Sequence, residues 1–254
     1  MPCPTINRGR ETALPCPLYH SGAAEIDITR QCYNNLQTSL FLNSAFSVFS
    51  AVKKNMFKLY EYSRSGNCYK IRLLLTQLNL PFDRIEIDIL KGESRTPDFL
   101  LKNPNGRIPV LEIEPDKFLF ESNAIMFYLS EGTEFFPSDK FERAQVMQWL
   151  FFEQYSHEPF IATSRFWYMT GKAEEYQEAL QQKQAPGYAA LGVMEQHLAN
   201  NDFFAGDRYT IADIGLFAYT HVAGEGGFDL TRFPAIQTWI DRVKSQPRYI
   251  SIKQ

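Results

Sequence analysis

The sequence predicts an α/β domain of order β-α-β-α-β-β-α, followed by an all-helical domain. Two observations carry this prediction. Between Met56 and Gly132, short segments that alternate apolar and polar residues are separated by segments with apolar residues at helical spacing. From about Ser138 onwards, apolar residues recur at helical spacing and no segment alternates convincingly like a strand.

The predicted elements of the α/β domain follow one another closely. FKLYEY and FDRIEIDI alternate and are predicted strands, and between them NCYKIRLLLTQLNL is a predicted helix that ends before Pro81. TPDFLLKNP is predicted to be a short helix with Thr96 as its N-cap. IPVLEIE and KFLFES are predicted to form a hairpin, and SNAIMFYLSEG a helix that ends near Gly132.

Four helical segments are predicted in the second domain. KFERAQVMQWLFFEQYSHEPFIATSRFW is interrupted near Pro159, and AEEYQEALQQKQAPGYAALGVMEQHLAN risks a break at Pro186. TIADIGLFAYTHV is strongly apolar and is a predicted buried helix, and FPAIQTWIDRVKSQP is amphipathic. Thr210 and Asp213 have the spacing of a capping box, so we interpret them as structural residues at the start of the buried helix.

The first 55 residues differ from the rest of the chain. They begin with a polar stretch rich in proline, and the later SLFLNSAFSVFSAVKK is apolar with its two lysines at the wrong end for a secretory signal. We predict a disordered extension; a start upstream of a body beginning at Met56, or a targeting segment, are the alternatives. The predicted organisation is an extension at 1–55, an α/β domain at 56–132, a linker at 133–138 and a helical domain at 139–254.

Composition excludes several classes of function. The net charge is −3, with 26 basic and 29 acidic residues and no block of like charge, so nucleic acid is not an expected partner. No apolar run reaches the roughly 18 residues of a membrane span. The four cysteines do not form a disulfide framework, which favours a reducing, cytoplasmic compartment. The four histidines are scattered, so no metal is expected.

Ser65 is the first candidate functional residue. It lies where the first predicted strand gives way to the first predicted helix, and SGNC has the spacing of a C-x-x-C motif with serine at the first position. A helix N-terminus favours an anion, and a serine hydroxyl there can donate a hydrogen bond to a thiolate. The alternative is that Ser65 only caps the helix. Cys68, at the second position, is predicted to pack as a small apolar residue.

Two further motifs indicate a peptide-like ligand. In NGRIPVLE, a cis peptide bond before Pro109 would turn the backbone of Ile108 towards an extended ligand, whereas the alternative is an ordinary edge-strand proline. Arg107 could bind a carboxylate or remain solvated. In FESNAI, Ser122 is a predicted N-cap, and Glu121 beside it could help to hold a zwitterion.

The order of these motifs resembles the cytosolic glutathione S-transferase family over residues 56–254. The resemblance implies a thioredoxin-like first domain and glutathione as substrate. It also implies that Ile108 and Pro109 pair with the cysteinyl backbone of glutathione, that Glu121 and Ser122 hold its γ-glutamyl end, and that Arg107 approaches its glycyl carboxylate. A homodimer is a further implication.

The resemblance is to the serine-type classes, in which the residue at Ser65 activates the glutathione sulfur. SGNCYKIRLLL is similar to the motif of the zeta class, with some likeness to the theta class, but Asn67 stands where the zeta class has cysteine. In this respect the chain is similar to bacterial relatives in which a serine or threonine and an asparagine both face the sulfur. Asn67 is therefore a second catalytic candidate, with a simple turn residue as the alternative.

The expected function is conjugation of the glutathione thiolate to an electrophilic, mostly apolar small molecule, as in detoxification. The second-substrate pocket is expected between the domains, with Tyr155, Phe160, Arg165 and Phe166 as candidates; core and dimer contacts are the alternative for these four. Two other functions stay open: a non-catalytic binding protein with the same fold, and a glutathione-dependent isomerase or peroxidase.

Overall fold

A four-stranded mixed sheet forms the centre of the α/β part. The computed structural model describes residues 56–254, so the predictions made for residues 1–55 lie outside the described residues. The strands are β1 (Phe57–Glu61), β2 (Phe82–Glu86), β3 (Val110–Glu114) and β4 (Lys117–Phe120). Their order is β2-β1-β3-β4, with β1 parallel to β2 and the other two pairs antiparallel. The four predicted strands are confirmed.

Three helices accompany the sheet: α1 (Gly66–Gln77), α2 (Pro97–Leu100) and α3 (Ser122–Ser130). Because β1 and β2 are parallel, the chain needs a crossover between them, and α1 provides it. Thr96 caps α2 as predicted, since its side-chain oxygen accepts a hydrogen bond from Phe99 N. The arrangement is thioredoxin-like, as the family resemblance implies.

The start of α3 differs from the prediction that Ser122 is its N-cap. The helix begins at Ser122 itself, and Glu121 occupies the N-cap position with a φ of 69°. Such a φ is uncommon outside glycine. The Ser122 side chain makes its contacts elsewhere: Lys70 Nζ lies 3.4 Å from Ser122 Oγ, and Asn67 Oδ1 lies 3.3 Å from it.

Five helices form the second part: α4 (Lys140–Phe152), α5 (Glu158–Met169), α6 (Gln177–Leu198), α7 (Ile211–Thr220) and α8 (Pro234–Lys244). The interruption predicted near Pro159 is present as a π-helical turn at Glu153–His157. The helix break that the sequence suggested at Pro186 does not occur, and α6 continues through this residue. A Cβ at Gly187 would lie 2.4 Å from the Phe228 ring, so α6 packs closely against Phe228 here. This packing outweighs the low helix propensity of proline and glycine.

The capping box of α7 is present as predicted. Thr210 N donates to Asp213 Oδ2 at 2.9 Å, and the Thr210 hydroxyl accepts from Ala212 N. Asp213 Oδ1 also accepts from Trp239 Nε1 at 2.9 Å and from Phe204 N at 3.2 Å. Complete burial nevertheless raises the pKa of Asp213 to about 6. This carboxyl group therefore joins α7 to α8 and to the preceding loop.

The two parts share one apolar core in which α7 packs against α1 and α3. Tyr69 of α1 donates to Ile250 O at 2.7 Å, and Arg72 donates to Ile252 O at 2.9 Å, so the C-terminal segment is bound to α1. Arg72 also donates to Ser63 O at 3.0 Å and thereby supports the loop that precedes α1. Within residues 56–254, no helix combines the length and apolar character needed to cross a bilayer.

Candidate functional site

A cleft of about 520 Å³ lies between the α/β part and the helical part. Its size is within the range of small-molecule sites. One wall comes from the loop before α1, the loop before β3 and the start of α3, and the other from α5 and α7. The cleft brings together these predicted residues: Ser65, Asn67, Arg107, Ile108, Pro109, Glu121, Ser122, Arg165 and Phe166.

Two of the four candidates for the second-substrate pocket do not line this cleft. Tyr155 is 84% exposed on the π-helical turn. Phe160 faces α6, where Lys183 Nζ lies 5.7 Å from the centroid of its ring. Arg165 does line the cleft, but its Nε donates to Glu225 Oε2 at 2.7 Å and its NH1 group donates to Arg64 O at 2.9 Å.

Ser65 can cap α1 and act on a ligand at the same time. Its Oγ accepts from Cys68 N at 3.3 Å, which makes it the N-cap of the helix. The hydroxyl proton has no acceptor among residues 56–254, and the side chain is half-buried at the cleft. A hydroxyl is both donor and acceptor. The two roles considered for Ser65 are therefore compatible.

Cys68 lies behind Ser65 in the first turn of α1. It is completely buried, and burial raises the pKa of its thiol to about 12. Because the thiolate is the reactive form of cysteine, this thiol is not activated. The Ile108–Pro109 peptide bond, on the same wall of the cleft, is cis, which is one of the two possibilities that the sequence left open.

Asn67 makes three hydrogen bonds, two of which connect the α/β part to the helical part. Its backbone N donates to Tyr219 Oη at 3.2 Å, and its Nδ2 donates to Glu158 Oε1 at 2.7 Å. Its Oδ1 accepts from Ser122 Oγ at 3.3 Å. An amide nitrogen carries two hydrogens, so one remains for a ligand.

A buried cluster of charged side chains contacts Asn67 and Ser122. Lys70 Nζ lies 2.8 Å from Glu153 Oε1 and 3.9 Å from Glu158 Oε2, and both Lys70 and Glu153 have no exposed side-chain surface. Burial raises the pKa of Glu153 to about 7, although Lys70 opposes this change. Glu153 is the first residue of the π-helical turn, which places it beside Lys70.

Sequence reasoning did not single out Glu153, Glu158 or Tyr219. EQYSHEP contains two carboxylates beside a proline in a helical segment, and Tyr219 is a hydroxyl-bearing residue in the apolar TIADIGLFAYTHV. These two features are the signals by which the three residues could have been found in the sequence. Neither pattern indicates which residues of the first domain would lie opposite.

The cleft carries more positive than negative side chains. Four arginines and two glutamates line it: Arg64, Arg95, Arg107, Arg165, Glu121 and Glu158. Arg107 is exposed, whereas Asn103 Nδ2 fixes its backbone carbonyl at 2.8 Å. An excess of guanidinium groups favours a ligand with carboxylates. Among residues 56–254 no group of three His, Cys, Asp or Glu side chains could hold a metal ion.

Comparison with known proteins agrees with this architecture of a thioredoxin-like domain with a cleft against a helical domain. The model of the glutathione S-transferase N-terminal domain matches residues 55–131, and that of the C-terminal domain matches residues 146–247. The chain therefore belongs to the glutathione S-transferase family.

Individual relatives cover most of the described residues. A crystal structure of a glutathione S-transferase from Pseudomonas fluorescens is 51% identical with a TM-score of 0.77, covering 79% of this chain and 100% of that one. The disulfide-bond oxidoreductase YfcG of Escherichia coli is 30% identical over 76% of this chain and 92% of its own. The glutathione transferase URE2P6 of Phanerochaete chrysosporium, in complex with oxidised glutathione, is 27% identical with a TM-score of 0.69, covering 76% and 93%.

Proposed function

We propose that this protein is a glutathione transferase that conjugates the glutathione thiolate to an electrophilic, mostly apolar small molecule. The observation that carries the proposal is the Ser65 hydroxyl. It lies at the N-terminus of α1, lines the cleft, and keeps its proton free among the described residues while it caps the helix. A donor placed in this way stabilises an anion, and the anion that glutathione supplies is its thiolate.

The proposed binding mode places glutathione along the α/β wall of the cleft. Its cysteinyl backbone pairs with the extended chain at Ile108 and Pro109, and its glycyl carboxylate lies near Arg107. Its γ-glutamyl end lies at Glu121 and Ser122. All five residues line one cleft, which supports this mode. The excess of arginines over carboxylates also supports it, because glutathione carries two carboxylates and one ammonium.

The chemistry requires an ionised sulfur near neutral pH. A free thiol has a pKa of about 8.5. One hydrogen bond to a charged group is worth about 1.5–3 kcal/mol, which lowers the pKa by about one to two pH units. Ser65 provides this donor, and the remaining hydrogen of Asn67 Nδ2 provides another. The thiolate then attacks the electrophilic carbon directly and expels its leaving group, such as chloride, to form a thioether, with Arg165 and Phe166 at the second-substrate side of the cleft.

A disulfide reductase is the second candidate, favoured by the relationship to YfcG. In such a reaction a glutathione thiolate attacks a disulfide, expels one thiolate, and a second glutathione completes the reduction to oxidised glutathione. Cys68 is the only cysteine of residues 56–254, and its thiol has a raised pKa. Glutathione itself would therefore be the nucleophile in both candidate functions.

A substrate panel separates the candidates. The purified protein is given glutathione with a chlorinated nitroarene, a small dialkyl disulfide, an organic hydroperoxide or a cis-enone acid, with Ser65→Ala as control. We expect formation of the aryl thioether, and its loss in the Ser65→Ala variant. Turnover of the disulfide, the hydroperoxide or the enone acid alone would assign a different reaction. Binding of glutathione without any turnover would indicate a binding protein.

We also propose that the protein is a cytoplasmic homodimer, with the first domain at 56–132 of one copy against the helical domain at 139–254 of the other. Large exposed aromatic side chains support an interface: Phe127 and Tyr128 on α3, Phe141 and Phe151 on α4, and Tyr155. Aromatic side chains are enriched at protein interfaces. Sedimentation at micromolar concentration tests the dimer, and a monomeric mass would contradict it.

A further inference from the structure

Tyr219 belongs to α7, the core helix of the helical part, but its hydroxyl reaches the first turn of α1. The side chain is 7% exposed, and it lines the cleft. Asn67 N donates to its Oη at 3.2 Å. A Cβ at Gly66 would lie 2.5 Å from the Tyr219 ring, so glycine at this position is what permits the close approach.

The hydroxyl proton of Tyr219 has no acceptor among residues 56–254, although its oxygen accepts the Asn67 amide. Ser65 is in the same state, because its oxygen accepts the Cys68 amide and its proton is free. Asn67 and Cys68 are consecutive residues. Two hydroxyl groups therefore bind neighbouring amides of one helical turn, and each retains a proton for a ligand in the cleft.

We propose that Tyr219 is a second hydroxyl donor to the glutathione sulfur, and hence a catalytic residue contributed by the helical part. The proposal rests on the proposed binding of glutathione in this cleft. One anion in front of the turn can accept from both hydroxyl groups, since a thiolate has several lone pairs. Ser65 approaches it from the α/β wall and Tyr219 from the helical wall.

The charged surroundings keep Tyr219 in its donor form. Its pKa is held well above the usual range, first by burial and then by the carboxylate of Glu158, with Glu153 contributing in the same direction. Lys70 Nζ lies 5.9 Å from the ring centroid and pairs with both carboxylates. The phenol thus remains protonated, and a protonated phenol can donate to a thiolate without transferring its proton outright.

The alternative role for Tyr219 is purely structural, as a partner for the Asn67 amide. Tyr219→Phe distinguishes the two, because phenylalanine keeps the ring that packs on Gly66 and removes only the hydroxyl. The primary measurement is the pKa of the thiol of bound glutathione, obtained from thiolate absorbance against pH. This measurement needs no electrophile. Glutathione affinity, the conjugation rate and the melting temperature are measured in parallel.

We expect the thiol pKa in Tyr219→Phe to rise by about one pH unit or more, with glutathione affinity changed by less than about threefold. The conjugation rate at neutral pH should fall about tenfold and recover as the pH is raised. Combining Tyr219→Phe with Ser65→Ala should raise the thiol pKa further than either substitution alone, because the amide of Asn67 then remains as the only proposed side-chain donor.

Tyr209→Phe is the matched control. Tyr209 is also a nearly buried tyrosine at the contact between the two parts, but its hydroxyl donates to Gln77 Oε1 at 3.3 Å and it does not line the cleft. Removing this hydroxyl should lower the melting temperature and leave the thiol pKa unchanged.

The outcomes separate this inference from the proposed function. If the wild-type protein depresses the thiol pKa and Tyr219→Phe leaves it depressed, the inference is wrong, whether or not the variant melts earlier or conjugates more slowly. A slower conjugation with an unchanged thiol pKa would place the hydroxyl at the electrophile instead. If wild-type glutathione binds with an unshifted thiol pKa, or does not bind, the proposed function fails and this inference fails with it.

Discussion

Lys70→Met should strongly destabilise the fold of this protein. The Lys70 side chain is completely buried, and its ammonium group is the cation that the equally buried Glu153 contacts, at 2.8 Å. Methionine keeps the aliphatic stem and removes the charge. Glu153 would keep only the hydrogen bond that Asn123 Nδ2 donates to Oε2, at 3.1 Å.

The magnitude follows from the burial of the pair. Removing one partner of a buried ion pair costs about 3–5 kcal/mol, because the other charge is left uncompensated. Such a loss is a large fraction of the 5–15 kcal/mol by which domains of this kind are stable. Replacing both partners by apolar residues, as in Lys70→Met with Glu153→Leu, should restore most of the free energy of unfolding.

The loss should depend on pH in a direction that can be worked out. Burial already raises the pKa of Glu153 to about 7, and loss of Lys70 raises it further. In the unfolded chain a glutamate has a pKa of about 4.3. As the pH rises above this value the unfolded state releases its proton first, so the free energy of unfolding falls until the folded-state pKa is passed. The slope is at most about 1.4 kcal/mol per pH unit.

Urea denaturation at pH 5 and pH 8, at one protein concentration, measures this effect. Lys70→Met should be destabilised relative to the wild type at both pH values, and by up to about 1.4 kcal/mol more at pH 8 than at pH 5, because the wild-type carboxyl group also titrates up to its pKa of about 7. Lys58→Met is the matched control, since Lys58 Nζ also lies 2.8 Å from a carboxylate, that of Glu112, but its side chain is 44% exposed. Its loss should be much smaller. Equal losses for Lys70→Met at both pH values, or a loss no larger than that of the control, would refute the reasoning.

Three further substitutions test the site and the fold. Ser65→Ala should raise the thiol pKa of bound glutathione by about one to two pH units and lower turnover at neutral pH about tenfold, whereas Cys68→Ala should leave the pKa unchanged; thiolate titration would show the reverse if Cys68 were catalytic. Ser65→Cys should form a mixed disulfide with oxidised glutathione, releasing one glutathione thiolate, and lose conjugation; mass spectrometry detects the adduct, and an unmodified thiol argues against an activating helix N-terminus. Asp213→Ala leaves the buried Trp239 Nε1 without its acceptor and should cost about 3 kcal/mol or more, seen as a lower melting temperature; an unchanged melting temperature with lost turnover would contradict a structural role.

Local patterns were sufficient for the order of elements. The spacing of Ile71, Leu74 and Leu75 in α1 reflects which side chains face the core, and these three residues are completely buried. Thr96 and Thr210 were recognisable as caps because capping depends on residues only two or three positions away. The prediction that Ser122 is the N-cap of α3 failed for a reason that is equally local. The backbone of Glu121 takes a φ of 69°, which moves the helix start by one residue.

The α/β wall of the site was also readable, because its residues lie in short motifs. Ser65 lies just after a predicted strand, and the Ile108–Pro109 and Glu121–Ser122 pairs lie at the ends of two others. Strand ends of one small sheet meet in space, so these motifs converge on one cleft.

The helical wall was decided by tertiary structure alone. Asn67 contacts Glu158 across 91 positions of sequence and Tyr219 across 152, and no periodicity or cap relates residues at such distances. Lys70 looked like an ordinary helix lysine in the sequence. It becomes half of a buried ion pair only because α1, the π-helical turn and α5 exclude water around it, and water would otherwise screen the charges. The sequence by itself determined the elements and the residues beside each strand end, since these depend on neighbours along the chain. The pairing of hydroxyl groups and charges across the cleft depends on how helices pack, which only the folded structure decides.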